Sequence, residues 1–456
     1  MVGGVAGGTV LLVNPRTKAN DRVVNGYPNF GLLSLASQVP AAFQTRLMDA
    51  QFYTAQHISS AIKESDIVGV TVRMDNCAHA KELVAEANEN GKRVVLGGPH
   101  ATFMSREILV DEKWPVEGIF IGYSDVSFRL WLGGKDIKEI EGSAFLHNGD
   151  YRLTAQPILD PNKIAPPRFE LLGDELQQFL QISKQQFPQG VEKLDYYTYN
   201  FCVYANSQKS RCSFCSVPRG MEIGGKKILT KYKSAESIWS ELKAVGERFG
   251  VMFFYLLDDS ITGNRKWLRD FLEARPKNFA PSFYCYGTGG ELSDSKTVAI
   301  LKELNVNLIQ VGNESGDDEI LRKYCCGKTS SEKNLEAVAN LDRVGIGVFS
   351  NFIIGFENET EESIRNTVEL AKRTAQFGQT KYVEVGPMIP RSGSRVFYQL
   401  INHPKLKAKY AGKVVFDANE LLVDWVENFT NVSVGTIQKA IDEISRQFGT
   451  AMRRSI

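Results

Sequence analysis

Three of the seven cysteines stand within fourteen residues, at Cys202, Cys212 and Cys215. Thiolates gathered so closely point to a metal centre. Cys212 and Cys215, separated by Ser213 and Phe214, can aim two sulfurs at one centre from a tight turn, and Cys202 can fold back as a third ligand. A four-iron, four-sulfur cluster held by three cysteines keeps one iron open, and an open iron is what a small bidentate ligand needs. A structural zinc site is the competing reading of C-x2-C. Zinc wants a fourth ligand, however; the nearest histidines in sequence, His147 and His403, are far away, and there is no second C-x2-C.

The elements around this stretch must position it. At 456 residues the chain is long enough for about three domains. Lys plus Arg (54) and Asp plus Glu (53) nearly cancel, so there is no global electrostatic footprint for nucleic acid. No run of eighteen apolar residues predicts a membrane span, and Met1 to Val13 lacks a basic n-region and a cleavage site. An odd cysteine count with three clustered argues against a secreted disulfide framework. The expectation is a cytoplasmic protein in a reducing compartment, with neither a nucleic acid nor a membrane as partner.

Strand and helix patterns alternate from Val10 to about residue 135: strands at 10–13, 46–49, 67–73, 93–96 and 118–121, helices starting at Gly31 and spanning 58–64 and 78–90. This predicts an α/β, doubly wound, Rossmann-like parallel sheet whose ligand lies beyond the strand carboxyl ends. Residues 136–190 read as a linker with a hairpin turn at Asn148-Gly149-Asp150 and prolines at 157, 161, 166 and 167. Alternation resumes in residues 191–394 as about six strand-helix repeats, the pattern of a partial parallel barrel with functional residues at strand carboxyl ends. Asp258, Asp259, Asn313, Glu314, Ser315 and Asn351 fall at such ends. Taken singly, each is better read as a helix N-cap. Residues 395–456 carry two helical stretches, expected to cap the barrel mouth.

The cysteine spacing, C-x9-C-x2-C, resembles the radical S-adenosylmethionine (SAM) superfamily, whose usual pattern is C-x3-C-x2-C; the longer first loop is like that of the elongator catalytic subunit. Downstream, Asp258-Asp259 resembles the segment that holds the methionine amine of SAM, and Asn313-Glu314-Ser315-Gly316 resembles the G-x-E-S-G ribose segment. Phe352-Ile353-Ile354-Gly355-Phe356-Glu357 follows in the family's order. The resemblance implies a 4Fe-4S cluster on Cys202, Cys212 and Cys215, and SAM bound by Phe214, Asp258, Asp259, Asn313, Glu314, Ser315 and Asn351. It also implies an electron donor such as flavodoxin or ferredoxin. Cys325-Cys326 precedes a Gly-Lys-Thr close to the family's Lys-Gly-Thr and reads as a packed helix terminus.

The first 135 residues are similar to the cobalamin-binding domain that precedes many radical SAM domains. Strand, Gly97-Gly98-Pro99-His100-Ala101-Thr102, helix, strand and Gly122 follow that order, which implies cobalamin contacts from Thr71, Arg73, Gly97, Gly98, Pro99, His100 and Gly122. The cobalt-ligating D-x-H-x-x-G is replaced by Asp49-Ala50-Gln51-Phe52-Tyr53-Thr54, so no protein histidine is expected on cobalt. Arg73 is the candidate beneath the metal; pairing with Asp75 is the alternative reading. The function implied is cobalamin-dependent radical SAM chemistry, methyl transfer to an unactivated carbon or phosphorus of a small molecule or peptide. In it a 5'-deoxyadenosyl radical removes a substrate hydrogen and methylcobalamin delivers the methyl group. Two alternatives stay open: a radical SAM enzyme with a cobalamin-free scaffold domain doing rearrangement, cyclisation or transfer of another SAM fragment, and a non-catalytic iron-sulfur or zinc protein.

Overall fold

The computed structural model describes residues 7–17, 25–187, 190–199, 202–204, 211–217 and 232–448. Phe201, residues 205–210 of the cysteine stretch and residues 449–452 of the last expected helix lie outside them. The strands β1 (Thr9–Asn14), β2 (Gln44–Asp49), β3 (Ile67–Thr71), β4 (Arg93–Gly97) and β5 (Gly118–Phe120) are parallel and ordered β2-β1-β3-β4-β5. Every residue of β3 and the central four of β1 are buried, the continuous apolar run of strands covered on both faces. Strand order reverses between β1 and β3, where the sheet opens a crevice at its carboxyl edge.

The hairpin is not a free linker. β6 (Ser143–His147) and β7 (Asp150–Leu153) continue the first sheet, with Ile119 opposite Ala144 in antiparallel register. Asn148 and Gly149 both take positive φ, +53° and +84°, the type I′ geometry of a tight hairpin. The turn was legible; its docking was not, because β5 is only three residues long and shows no unfilled edge in sequence.

A second sheet follows, all parallel and sequential: β8 (Leu194–Tyr196), β9 (Phe253–Leu256), β10 (Ser282–Thr288), β11 (Val306–Glu314), β12 (Gly347–Ile354) and β13 (Thr380–Pro387). This is the winding of an open (β/α)6 barrel. Helices are set by local signals. Ser234 accepts from Ser237 N to start Ala235–Phe249, and Gly250 ends it at φ +71°. Thr360 and Ser363 form a capping box before Glu361–Ala375. Trp239, Phe271 and Trp267 stack in series, with centroids 4.5 and 5.0 Å apart, and lock helices Ala235–Phe249 and Arg265–Glu273 together.

The C-terminal region, expected as a cap over the barrel mouth, reaches the loop after β12, where Asn358 N donates to the Phe429 carbonyl, and also packs along the edge of the second sheet. Helix Val434–Phe448 lies against β13 and helix Glu361–Ala375, because Ile437, Ala440 and Ile444 form one buried apolar stripe that needs the sheet's outer face. The segment before helix Ala418–Phe429 reaches the first domain. His100 bonds the Val414 carbonyl at 2.8 Å and Ser392 at 2.8 Å, and Glu112 accepts from Val414 N. Trp425, wholly buried, donates to the Gly355 carbonyl at 2.8 Å. One apolar core therefore runs through the first sheet, the barrel edge and the C-terminal helices.

Beneath β8 sits a buried ion pair: Lys233 and Glu241, 2.7 Å apart, with side chains 2% and 8% exposed. Tyr196 of β8 donates to the same carboxylate. Removing one partner strands a charge in the interior, so Glu241→Ala is expected to cost about 3–5 kcal/mol in urea unfolding. Lys233→Met combined with Glu241→Leu should recover most of that loss, and a double variant no better than the single one would contradict this reading.

Candidate active site

The chain turns at the end of β8 into the cysteine loop. Thr198 N donates to both oxygens of Asp258, at 3.1 and 3.0 Å, and Asp258 is fully buried. Asp258 therefore ties β8 to β9. Its neighbour Asp259 is exposed to solvent, with the Cys202 backbone beside it. Burial raises its pKa to about 6, against a hydrogen bond from the backbone of Cys202. Of the two aspartates, the second is the one left accessible to a ligand.

The second half of the loop is stitched to two other elements. Ser213 N donates to the Tyr324 carbonyl at 3.0 Å, and Val396 N donates to the Ser213 carbonyl at 3.2 Å. Phe214 meets Phe356 edge-on at 5.6 Å. Cys202, Cys212 and Cys215 are all half-buried. Among the described residues no three thiol, imidazole or carboxylate groups close to a single ion's distance; a cube with iron at its corners needs its thiolates spread more widely than one ion does. Three thiols on one loop, backed by a buried cation, fit a cluster's donor set. That cation is Lys328, 3.6 Å from Glu314, with side chains 9% and 13% exposed. It was not singled out from sequence, although Gly-Lys-Thr beside the cysteine pair was a signal. Cys326, read from sequence with Cys325 as a packed helix terminus, reaches the loop instead: its sulfur lies 3.4 Å from that of Cys212, and this hydrogen bond holds the Cys212 thiol below its usual pKa.

Strand register sets the far wall. Thr288 pairs with Gly312, Gly312 with Asn351 and Asn351 with Glu384, one level across β10 to β13 at their carboxyl ends. A Cβ on Gly312 would lie 2.8 Å from Glu314 Oε1, so glycine there lets Glu314 fold back over the strand end. Glu314 itself takes φ +63°, a conformation uncommon outside glycine and found at ligand sites. Buried Asn313 Oδ1 and Asn351 Oδ1 have no hydrogen-bond partner among the described residues, and such acceptors are costly unless a ligand's donor meets them. An ammonium and a ribose diol supply such donors. Ser315, by contrast, has a structural partner, Thr367 at 3.0 Å.

At the carboxyl edge of the first sheet lies a cavity of about 330 Å³. Thr71, Arg73, Gly97, Gly98, Pro99 and Gly122 line it; His100 does not, being turned into the contact with Ser392 and Val414. A Cβ on Gly97 would meet only Phe120 O, at 4.0 Å, so the glycine leaves the crevice open to a large ligand. Arg73 ends no strand; β3 stops at Thr71, and the guanidinium bonds Asp75 at 3.0 and 3.3 Å while still facing the cavity. Gln51 is held by Asn25, accepting from its N–H at 2.8 Å. No histidine lines the cavity. Its far side belongs to the second domain: Tyr197, Tyr199 and Leu257. Tyr123 and Tyr197 share a hydrogen bond of 2.9 Å, and Tyr199 reaches Ser34 at 3.0 Å. The two sites thus share a wall of tyrosines.

Behind Asp49, Glu175 accepts from Asp49 N at 3.3 Å, and burial lifts its pKa to about 8 and that of Asp49 to about 6. A carboxyl whose folded pKa is raised stabilises fully below its unfolded value and loses that contribution as pH rises through the folded one. Folding stability should therefore fall between about pH 4.5 and 8. In Glu175→Gln the urea midpoint should change less over that interval; a slope identical to wild type would show that Glu175 does not titrate there.

Two family models match the chain, the Radical SAM superfamily over residues 196–371 and the B12 binding domain over residues 17–129. An uncharacterized methyltransferase of Pyrococcus horikoshii is 26% identical over 411 residues, 86% of this chain and 83% of the relative. Bacteriochlorophyllide d C-8(2)-methyltransferase of Chlorobaculum tepidum is 24% identical over 348 residues, 75% of this chain and 70% of the relative. The fold is shared with the cobalamin-dependent SAM radical enzyme OxsB, solved with aqua-cobalamin and SAM (TM-score 0.65, 18% identity, 96% of this chain); the chain spans 61% of that structure's length. It is shared equally with the radical SAM methyltransferase TsrM from Kitasatospora setae, with cobalamin and a [4Fe-4S] cluster (TM-score 0.65, 16% identity, 87% of this chain and 75% of that one). Thiol loop, strand-end carboxylates, glycine-lined crevice and both family matches agree: the chain carries a B12-binding domain over residues 17–129 ahead of a radical SAM domain over residues 196–371.

Proposed function

We propose that the protein is a cobalamin-dependent radical SAM methyltransferase acting on an unactivated carbon of a small molecule or peptide. The observation that carries this is the shared wall: Tyr197, Tyr199 and Leu257 close the glycine-lined crevice and lie on the same two strand ends that present Cys202 and Asp259. Two cofactors held there meet, as a methyl relay requires. The bacteriochlorophyllide relative, whose name places the methyl at a carbon, favours carbon over phosphorus.

When bound, the cluster, SAM and cobalamin supply the electron, the radical precursor and the methyl carrier. The residues hold and orient them. Cys202, Cys212 and Cys215 would hold the cluster. Asp259 and Glu314 would accept from the ammonium and ribose of SAM, and Lys328 would face its carboxylate. An electron donor of the flavodoxin or ferredoxin kind serves the cluster. The test needs no substrate: the reduced holoprotein, given SAM with a labelled methyl group, should pass label to its corrinoid, and label confined to SAM would overturn the proposal.

Arg73 carries a second expectation. A guanidinium offers no lone pair to a metal, and Asp75 fixes its position. Electron paramagnetic resonance of the cobalt(II) holoprotein should show no nitrogen ligand from the protein; nitrogen splitting would contradict this assignment.

A further inference from the structure

Cys326 touches Cys212 but has no role assigned so far, yet the chain goes to some length to place it. Helix Asp318–Tyr324 ends on Cys325, which is wholly buried with Ile320, Leu321, Tyr324 and Phe356. Cys326 then takes φ +67° and Gly327 φ +60°, two successive left-handed residues of which only the second is free of a Cβ penalty. Gly327 N closes the turn on the Leu321 carbonyl at 3.1 Å. This swings the Cys326 side chain away from the core and toward the cysteine loop. The loop is in turn tied to the same helix end, since Ser213 N donates to Tyr324 O. The contact of 3.4 Å between the sulfurs of Cys326 and Cys212 is therefore held by backbone on both sides.

Three roles could follow from two sulfurs at that distance. Thiolates on different irons of one cube stand too far apart to touch, so a sulfur in contact with Cys212 is badly placed as a ligand of the open iron. A disulfide between the two would withdraw Cys212 from iron altogether. The remaining role uses the observed geometry as it stands, with the Cys326 S–H as donor and the Cys212 sulfur as acceptor. Hydrogen bonds to ligating sulfurs are among the terms that set a cluster's reduction potential, and partners behind the ligands are a general means of tuning a metal.

We propose that Cys326 is a positioning residue for the cluster: its thiol donates to the iron-bound sulfur of Cys212 and raises the cluster's reduction potential. The sign follows from charge. Reduction adds an electron to the cluster and its thiolates, so a donor aimed at one of them stabilises the reduced form more than the oxidised one. This rests on the cluster reading above. Its consequence is that the electron donor has a smaller gap to bridge than a cluster without that contact would impose.

The test is a potentiometric titration of the reconstituted protein followed by electron paramagnetic resonance, with iron and sulfide measured in parallel. Cys326→Ala should keep wild-type iron and sulfide while its midpoint moves to a more negative potential. Cys326→Ser, which retains a donor, should bring the midpoint back toward wild type, a rescue that packing alone would not produce. An unchanged midpoint in Cys326→Ala overturns the proposal alone, as does Cys326→Ser matching Cys326→Ala. Loss of iron in Cys326→Ala would make the residue a ligand and overturn it as well. Wild-type protein that binds no iron would instead overturn the cluster reading, and this proposal with it.

Discussion

Replacing Cys202, Cys212 and Cys215 together by alanine is expected to abolish bound iron and sulfide, whereas Cys285→Ala leaves both at the wild-type level. The three loop thiols are half-buried on one loop; Cys77, Cys285 and Cys325 are wholly buried in the apolar core, on separate elements. Loop thiols differ because they share one stretch of chain that backbone bonds hold in place, Ser213 being bonded through both its N–H and its carbonyl. Single variants should each remove most of the iron, since a cube on two thiolates has two open corners. Retention of full iron in the triple variant would contradict the assignment.

Glu314 is expected to give the second large effect, on SAM. It stands at a strained φ of +63° at the end of β11, over Gly312 and against Lys328. A charge-assisted hydrogen bond lost there is worth roughly 1.5–3 kcal/mol, or about tenfold to more than a hundredfold in affinity. Glu314→Gln keeps shape and loses charge, so it should weaken SAM binding by about tenfold or more in calorimetry while cluster iron stays bound. Glu314→Ala also leaves Lys328 as an uncompensated buried cation and should lower folding stability as well. Unchanged SAM affinity in a folded Glu314→Gln protein would refute the role.

Most of this site could be read from sequence because its parts are local. Three cysteines on one loop, aspartates after an apolar strand and two glycines after another each report themselves through neighbours in the chain. Elements followed the same rule: β3 and β4 lie within two residues of the pattern. What sequence could not show was set by contacts between distant segments. β8 is three residues long and precedes the cysteine loop with no periodicity to reveal it. Asp258 looks like Asp259 until Thr198 is seen bonded to it. His100 sits in a glycine motif, yet Ser392 and Val414, some three hundred residues away, claim its ring. Cys326 and Lys328 face the site only because the helix before them ends in two left-handed residues.

The central claim is that one chain carries an iron-sulfur cluster and cobalamin side by side. It is tested most directly by metal analysis of anaerobically purified, reconstituted protein. The account predicts about four iron and about one cobalt per chain, with cobalt retained and iron lost in the triple cysteine variant. Iron without cobalt, after reconstitution with a corrinoid, would contradict it.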